Sequence, residues 1–560
     1  MRMPLRRDRV LLLTAMAMML SAVENSVAAD MVPVHIRLLD AFSNKTTPAM
    51  ICITGDDKKV RLPPDGRVLQ QPSTTEEFAS GISFQRDRNW VGPVRKMLGQ
   101  GNNHDRSYVY QLRPSIPYWQ EPVMYQVSGD FTIQLPPGRW RVAVEHGMEY
   151  VPVSEEFLVK PPGPVAKTFE LKRWIDLTRE GWWSGDVHVH HPSQKKEHRD
   201  FLLEYAKAED LHVVNLLEVG HHDTDTTFKV EGFGHEHRIN RDGYCLVSGQ
   251  EEPRGTFGHI IGLNINSLVR DASKYHLYDL AFERIHQQPG ALVGYAHFSW
   301  NGCNLPRGFP TFVTTGELDF IELLQFSHLN AVDYYKYLNL GFKLTAAAGS
   351  DTPWGSTIGE VRTYVHTGPQ LDLDEWFAGL KKGHTFVSNG PALSFTVDGL
   401  LPGSELTKAA GETVVVKAKV RSHPAIGIPH SLILVSNEGV IGEVENPGKD
   451  AELTIELKQT VERSRWIAAS TACANGAVAH STPVYVIVDG HPTWSPTQGP
   501  DLVDEQLAAI EKIGAEFDPT AGEEARSIHE RLNRARLFYT YLKTVMRRQA
   551  KTAAADVQTP

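Results

Sequence analysis

The sequence predicts a multidomain α/β plus β protein, in which a β/α barrel lies between two β-sandwiches and is followed by a pair of helices. Two observations predict this class. From about residue 182, apolar runs of strand length alternate with amphipathic stretches of helix length, as in α/β layers. On both sides of that region, short β-branched runs are separated by Pro and Gly clusters, which is typical of sandwiches. The chain of 560 residues also exceeds the ~250–300 residues at which single cores stop growing.

Residues 1–29 are predicted to be a signal peptide. Arg6, Arg7 and Arg9 form a basic start that precedes an apolar run at 10–23 and small residues at 27–29. This apolar run is shorter than the ~20 residues that span a bilayer. We therefore expect cleavage near Ala29, no transmembrane anchor after processing, and an exported chain that is periplasmic or extracellular.

Residues 30–178 are predicted to form the N-terminal β-sandwich domain. The runs at 32–38 and 131–135 are alternating or β-branched. Between them, 56–125 is rich in Gly, Pro, Asn and Asp without clear periodicity, so long loops are expected there.

Residues 179–392 are predicted to form the barrel. The strand-like runs are 186–190, 211–219, 244–248, 259–263, 291–296, 319–324 and 344–348, and the helix-like stretches between them are 199–209, 277–287 and 331–340. Seven strands interleaved with helices suit a parallel β/α barrel, whose active site lies at the carboxyl ends of its strands.

Residues 393–492 are predicted to form the C-terminal β-sandwich, with its clearest strands at 412–420 and 483–488. The remaining segment, 493–560, has apolar positions at helical spacing that are interrupted at 519–522, which predicts two packed helices and a short tail.

Charge and cysteine content exclude some classes of function. The formal net charge is −10 and the basic residues are spread along the chain, so nucleic acid is not an expected partner. The four cysteines are too far apart for a CxxC zinc site.

Histidines are concentrated in the predicted barrel, where thirteen of the 24 fall between residues 181 and 300. His188 and His190 alternate along a strand and point to one face, and neutral imidazoles are good ligands for zinc, iron and related metals. Other potential ligands follow the predicted strands, as a barrel site requires; His259, which begins a strand, is the exception. The candidate metal ligands are His188, His190, His222, Glu251, His259, His297 and Asp351. Seven exceed the needs of one tetrahedral ion and predict two or three divalent ions.

Three of these candidates also have possible catalytic roles. Asp351 and Glu251 are candidate bridging ligands, and a carboxylate or His297 is a candidate proton shuttle. The pattern does not separate ligand from base. Asp186 is interpreted as a residue that orients the histidines, with direct ligation as the alternative. His221 is interpreted as a loop or supporting residue, with ligation again the alternative.

The ordered set Asp186-x-His188-x-His190, His222, Gly249-x-Glu251, His259, His297 and Ser350-Asp351 resembles the polymerase-and-histidinol-phosphatase (PHP) superfamily. The flanking sequences GWWSGD at 181–186 and FVSNGP at 386–391 resemble its CehA/McbA branch, the carbaryl-hydrolase-like metallohydrolases. The resemblance covers about 130–490. It implies a distorted seven-stranded barrel, a di- or trinuclear site of Zn, Mn or Fe, and hydrolysis of an ester-like bond.

The chain departs from the family pattern at two motifs. Asp351-Thr352-Pro353 replaces the usual Asp-x-His, which removes a histidine and could remove one ion. In Gly220-His221-His222-Asp223, His221 stands where an aspartate is expected, which could exchange one ligand type for another.

Three functions are weighed. The leading one is a metallohydrolase that cleaves a carboxylic ester, carbamate or amide in a small-molecule substrate. The second is a phosphoesterase with the same metals, favoured if Arg254, Arg307 and Arg362 converge on the cluster and disfavoured if aromatic residues such as Trp300 and Trp354 line it. The third is a non-catalytic exported binding protein with a degenerate site, against which the retention of the other ligand positions argues.

Overall fold

The structure is a computed structural model that describes residues 31–67, 124–222, 224–299, 305–353 and 357–556. The predicted signal peptide and most of the predicted loop region between 56 and 125 lie outside these residues. Within them, no helix is both long enough and apolar enough to cross a membrane. The described chain is mostly sheet with seven α-helices, and it is a multidomain α/β plus β protein as predicted.

The N-terminal part consists of two sheets with strand orders β4-β1-β7 and β3-β2-β5-β6. Their strands are β1 (Val32–Asp40), β2 (Ala49–Gly55), β3 (Tyr125–Val127), β4 (Asp130–Leu135), β5 (Gly138–Glu145), β6 (Val153–Val159) and β7 (Val165–Leu171). Alternate residues of β1, including Val34 and Ile36, are fully buried and pack with Ile51 of β2. This alternation is the period of two expected of a strand with one face in a core.

The central part contributes its strands to one closed sheet, which also includes C-terminal strands, and helices lie between several of the central strands. The strands are β8 (Trp182–Val189), β9 (Val213–His221), β10 (Thr224–Thr227), β11 (Ile239–Arg241), β12 (Tyr244–Gly255), β13 (Gly258–Leu263), β14 (Leu292–Tyr295), β15 (Phe320–Gln325), β16 (His328–Leu329), β17 (Thr345–Ala348), β18 (Arg362–His366) and β19 (Thr385–Ser388). The helices are α1 (Lys196–Ala208), α2 (Tyr278–His286), α3 (Phe309–Phe312), α4 (Ala331–Asn339) and α5 (Leu373–Lys382). All seven predicted strand-like runs overlap strands of this sheet.

Local sequence signals set the ends of α5. Asp372 caps its start, because its carboxylate accepts hydrogen bonds from the backbone of Asp374 and Glu375. Gly383 ends the helix in the left-handed conformation at φ 74°. The helix buries Trp376 and Phe377 against the closed sheet.

The prediction of a parallel barrel was wrong at β13, and β18, which was not among the seven predicted strands, is also antiparallel to its neighbour. β13 runs antiparallel to both β12 and β14, and β18 runs antiparallel to β8. Only two residues connect β12 to β13, which suits a hairpin and is far too short for a parallel crossover of a dozen or more residues.

The C-terminal part packs a three-stranded sheet, in the order β20-β22-β25, against a second group of strands that joins the closed sheet through β19 and β27. The strands are β20 (Ala392–Val397), β21 (Glu405–Lys408), β22 (Glu412–Arg421), β23 (Pro429–Ser436), β24 (Gly439–Glu445), β25 (Glu452–Val461), β26 (Arg465–Cys473), β27 (Val478–Ser481) and β28 (Val484–Val488). Helices α6 (Gly499–Gly514) and α7 (Glu523–Asp556) follow. Apolar residues of both helices belong to the same core as β14, β15 and α4.

Candidate metal centre

Six of the predicted ligands lie together in the closed sheet. They form the His/carboxylate cluster: His188, His190, Glu251, His259, His297 and Asp351. The Nε2 atoms of His188 and His190 are 2.9 Å apart. Asp351 Oδ1 lies 3.4 Å and 3.3 Å from these two atoms, respectively. Glu251 Oε1 lies 3.5 Å from His188 Nε2 and 3.1 Å from His297 Nε2.

The outer nitrogen of three imidazoles is fixed by an acceptor outside the cluster. His188 Nδ1 lies 2.7 Å from Glu322 Oε1, and His297 Nδ1 lies 2.8 Å from Gln325 Oε1. His190 Nδ1 lies 3.0 Å from the carbonyl oxygen of Leu217. A proton on each Nδ1 donates to these acceptors and leaves the Nε2 lone pair directed at the centre, which is how metal-binding histidines are usually oriented.

His259 reaches the cluster because β13 is antiparallel to its neighbours. Its position at the start of β13 is therefore at the same edge as the carboxyl ends of β12 and β14. His259 Nδ1 lies 2.8 Å from Glu251 Oε1 and 3.0 Å from His297 Nε2. A residue that begins a strand thus joins ligands that end strands.

His297 and Asp351 both adopt left-handed backbone conformations in the turns that follow β14 and β17, with φ values of 58° and 52°. Such conformations are uncommon for residues other than glycine, and they concentrate at functional sites. The carbonyl group of His188 accepts a hydrogen bond from the backbone N–H of Asp351 at 2.8 Å. This bond fixes the turn after β17 against β8.

Asp186 contacts backbone rather than imidazole rings. Its Oδ1 accepts hydrogen bonds from the backbone N–H groups of His188 and Ser350, both at 3.0 Å, and its Oδ2 accepts one from Gly359 at 2.9 Å. Burial raises the pKa of Asp186 to about 6, although these hydrogen bonds oppose the rise. The described contacts give Asp186 a supporting position that ties β8 to the segment carrying Asp351.

The cluster attracts positive charge. Burial alone would lower the pKa of His188, but the carboxylates of Glu322, Asp351 and Glu251 raise it well above its ordinary value. The pKa of His297 is raised against burial by Glu251 and Asp351. Burial would raise the pKa of Glu251, whereas neighbouring cationic groups hold it well below its usual range. The pKa of Asp351 is also lowered by the neighbouring histidines against its burial, so Glu251 and Asp351 are ionised and favour a cation beside them.

These residues fit a divalent metal ion. Two buried groups, His188–Glu251–His297 and His188–His190–Asp351, each bring three potential ligand atoms within 4.8 Å of one another. A mixed set of imidazole nitrogens and carboxylate oxygens suits zinc, manganese and iron. The orientation of the rings by their Nδ1 partners adds the supporting contacts that such sites require.

His222, the seventh predicted ligand, lies elsewhere. Its side chain is exposed, and its ring packs near Tyr275 and His276, with centroids 5.9 Å and 6.0 Å away. The turn after β9 directs it to the surface, and neither of the ligand groups found among the described residues includes it. The side chain of His221 lies outside the described residues.

The three arginines do not all converge on the cluster. Arg254 does, since its Nε lies 2.9 Å from Glu251 Oε2. Arg307 pairs with Glu516, and Arg362 is buried with hydrogen bonds to the carbonyl oxygens of Glu209 and Asp210. Trp300 and Trp354 lie outside the described residues.

Sequence reasoning missed Glu322 and Gln325. Both lie on β15 and are fully buried. A signal was present: Glu322 is the one charged residue within the apolar run Phe320–Leu324. A carboxylate inside a buried strand needs a partner, so its position could have indicated a supporting role.

No family model and no curated protein matches the chain. Among solved structures, PsfC from Pseudomonas syringae PB-5123 is similar over 35% of this chain and 88% of its own, with 17% identity and a TM-score of 0.27. The fibronectin(III)-like modules of Clostridium thermocellum CbhA are similar over 18% of this chain and 98% of theirs, with 15% identity and a TM-score of 0.14. At these scores neither likeness supports an argument about fold or function.

Proposed function

We propose that the chain is an exported metal-dependent hydrolase of the PHP type, which cleaves an ester-like bond in a small molecule. The observation that carries the proposal is the convergence of three Nε2 atoms whose Nδ1 atoms are held by Glu322, Gln325 and the Leu217 carbonyl group. Buried histidines in a structural core do not require this shared direction. Two ionised carboxylates, Glu251 and Asp351, complete the set.

Divalent ions held by this cluster would supply a water of lowered pKa and polarise the oxygen of the scissile group. The chain's own residues then bind, orient and move protons. Asp351 is the more accessible of the two carboxylates for accepting a proton, because its side chain is 10% exposed whereas that of Glu251 is 0% exposed. The ring of Phe228, 5.3 Å from that of His190, gives one apolar wall beside the cluster.

One observation favours the phosphoesterase as the second candidate. Arg254 places a guanidinium beside Glu251, and guanidinium groups suit phosphate oxygens. The other two arginines lie elsewhere, and Phe228 gives the site an aromatic neighbour. The balance supports a carboxylic ester, carbamate or amide as substrate.

The proposal is tested with the mature protein, the double variant His188→Ala/His190→Ala and the control His235→Ala. His235 lies in the same part of the chain, and its side chain is 66% exposed. Metal content is measured by elemental analysis, and turnover with p-nitrophenyl acetate and p-nitrophenyl phosphate.

We expect two or more transition-metal ions per wild-type chain, and turnover of one ester that falls by at least about 100-fold when the two ligands are removed. His235→Ala should match the wild type. Cleavage of p-nitrophenyl acetate would support the carboxylic ester, carbamate or amide hydrolase, and cleavage of p-nitrophenyl phosphate would support the phosphoesterase. A folded wild-type protein that binds no transition metal would contradict both hydrolase candidates. The non-catalytic binding protein would then be the remaining function.

A further inference from the structure

Arg254 is built into the edge of the His/carboxylate cluster. Its Nε lies 2.9 Å from Glu251 Oε2 and 3.3 Å from His259 Nδ1, so one guanidinium touches two candidate ligands. Its side chain is only 13% exposed. Its backbone N–H donates to the Tyr275 hydroxyl group, which donates to the carbonyl group of Gly220. These contacts fix the carboxyl end of β12, from which the guanidinium projects.

The groups His188–His190–Asp351 and His188–Glu251–His297 share His188, whose free Nε2 binds one ion, so together they hold at most two ions. Two ligand atoms also contact Arg254 Nε: Glu251 Oε2 and His259 Nδ1. Glu251 Oε2 lies 3.4 Å from His190 Nε2, and His259 Nδ1 lies 2.8 Å from Glu251 Oε1. A further ion held by these two atoms would have to lie where the guanidinium already contacts both.

We propose that Arg254 serves as a fixed cation of the site, which takes the place of a third metal ion and limits the chain to two. This inference rests on the metal site of the proposed function and specifies its composition. An arginine side chain stays charged at any pH the protein meets. At contact distance and low local dielectric it repels a divalent ion strongly, while it neutralises one oxygen of Glu251. Arg254 is thus a positioning residue for Glu251 and His259.

The test measures the number of ions per chain, not activity. The full mature protein is saturated with Zn²⁺ or Mn²⁺, passed through a desalting column and analysed for metal, and the binding steps are followed by titration calorimetry. The variants are Arg254→Met, which keeps the length of the stem without its charge, and Arg254→Lys, which keeps a cation. Arg307→Met is the matched control, because Arg307 is also largely buried, at 20% exposed, but pairs with Glu516 away from the cluster.

We expect two ions for the wild type, Arg254→Lys and Arg307→Met. Arg254→Met should gain a third binding step at least about 100-fold tighter than any residual third step of the wild type, because a contacting like charge is removed. A wild-type count other than two overturns the inference, as does an Arg254→Met protein with unchanged steps. Where Arg254→Met fails to fold, the neutral variant Arg254→Gln takes its place, and unchanged binding steps in that variant overturn the inference.

The outcomes also separate this inference from the proposed function. A wild type with three ions and esterase turnover overturns only the role of Arg254. A wild type that binds neither metal overturns both.

Discussion

Glu322 supports two ligands of the His/carboxylate cluster at once. Its Oε1 accepts from His188 Nδ1, and its Oε2 accepts from the backbone N–H of His297 at 2.7 Å and from Gln325 Nε2 at 3.1 Å. Because Gln325 in turn holds His297 Nδ1, a single carboxylate on β15 orients residues from β8 and from the turn after β14. At the scale of residues, the orientation of the ligands depends on this buried strand.

Replacing Glu322 with Gln should weaken metal binding by about 10- to 100-fold. A glutamine keeps the shape but offers one acceptor oxygen, so either His188 or His297 loses its partner. Metal affinity is measured by competition with a chelator. Glu405→Gln, at an exposed carboxylate that pairs with Lys343, is the control. An affinity equal to that of the control would contradict the role of Glu322.

Gly349 is a second single residue on which the cluster depends. A Cβ atom there would lie 2.4 Å from Glu322 Oε1 and 2.5 Å from His188 Cβ. Gly349→Ala should therefore displace both groups, lower metal affinity by about tenfold or more and destabilise the fold by about 1–3 kcal/mol. Gly442→Ala, where the nearest atom would be 3.5 Å away, should leave metal binding unchanged. Equal metal affinities of the two variants would contradict this prediction, because they would show that Glu322 and His188 accommodate the added methyl group without disturbing the metal site.

At the scale of elements, α7 has one face in the core and one in solvent. Leu532 is 1% exposed and belongs to the core that includes residues of β14 and β15, whereas Leu537 is 70% exposed. The Tyr539 hydroxyl group also donates to the carbonyl group of Pro310, in the short helix α3. The C-terminal helices are therefore part of the structure that supports the closed sheet.

Leu532→Ala should lower the free energy of unfolding by about 2–5 kcal/mol, because it leaves a cavity in that core. Leu537→Ala, five residues further along the same helix, should change it by less than about 0.5 kcal/mol. Urea unfolding at constant metal concentration measures both. Similar decreases in the free energy of unfolding for the two variants would contradict the assigned packing of the Leu532 side chain in the core.

At the scale of the whole molecule, a buried ionic network joins the N-terminal sheets to the closed sheet. Arg173 Nη1 lies 3.0 Å from Glu149 Oε2 and 2.8 Å from Asp210 Oδ2. The Tyr150 hydroxyl group accepts from Arg173 Nη2 at 3.0 Å, and Tyr244 donates to Asp210 at 3.0 Å. Two carboxylates thus share one guanidinium between the two parts of the chain.

This network makes stability depend on pH. Burial raises the pKa of Glu149 from 4.5 to about 7, Asp210 adds to the rise and Arg173 opposes it. Between these pH values the folded chain holds a proton that the unfolded chain has released, so the contribution of Glu149 to stability falls as pH rises through this window.

Glu149→Gln removes that titration. We expect the stability of the variant relative to the wild type to increase from about pH 5 to about pH 8. The charged groups that act on Glu149, namely Asp210, Arg173 and Arg362, are present in both proteins. Unfolding midpoints across this pH range measure it, with the exposed Glu156→Gln as control. A difference that does not change with pH would contradict the assigned titration.

Much of the fold could be predicted from sequence because it depends on local periodicity. β22 (Glu412–Arg421) and α4 (Ala331–Asn339) were predicted within about a residue, since their burial follows periods of two and 3.6. Pairing direction could not be predicted in the same way. The direction of β13 depends on the two-residue connection from β12, whose hairpin is seen only when both strands are paired.

Sequence patterns predicted the mixed α/β plus β fold class, and the concentration of histidines with the ends of the strands predicted all six residues of the cluster, His259 as the one that begins a strand. The tertiary structure decided which candidates meet. It brought His259 in through an antiparallel strand, turned His222 to the surface and supplied Glu322, Gln325 and Arg254 as partners. The physical reason is that residue type and strand position are local properties, whereas ligand geometry depends on distances between strands that are far apart in the chain.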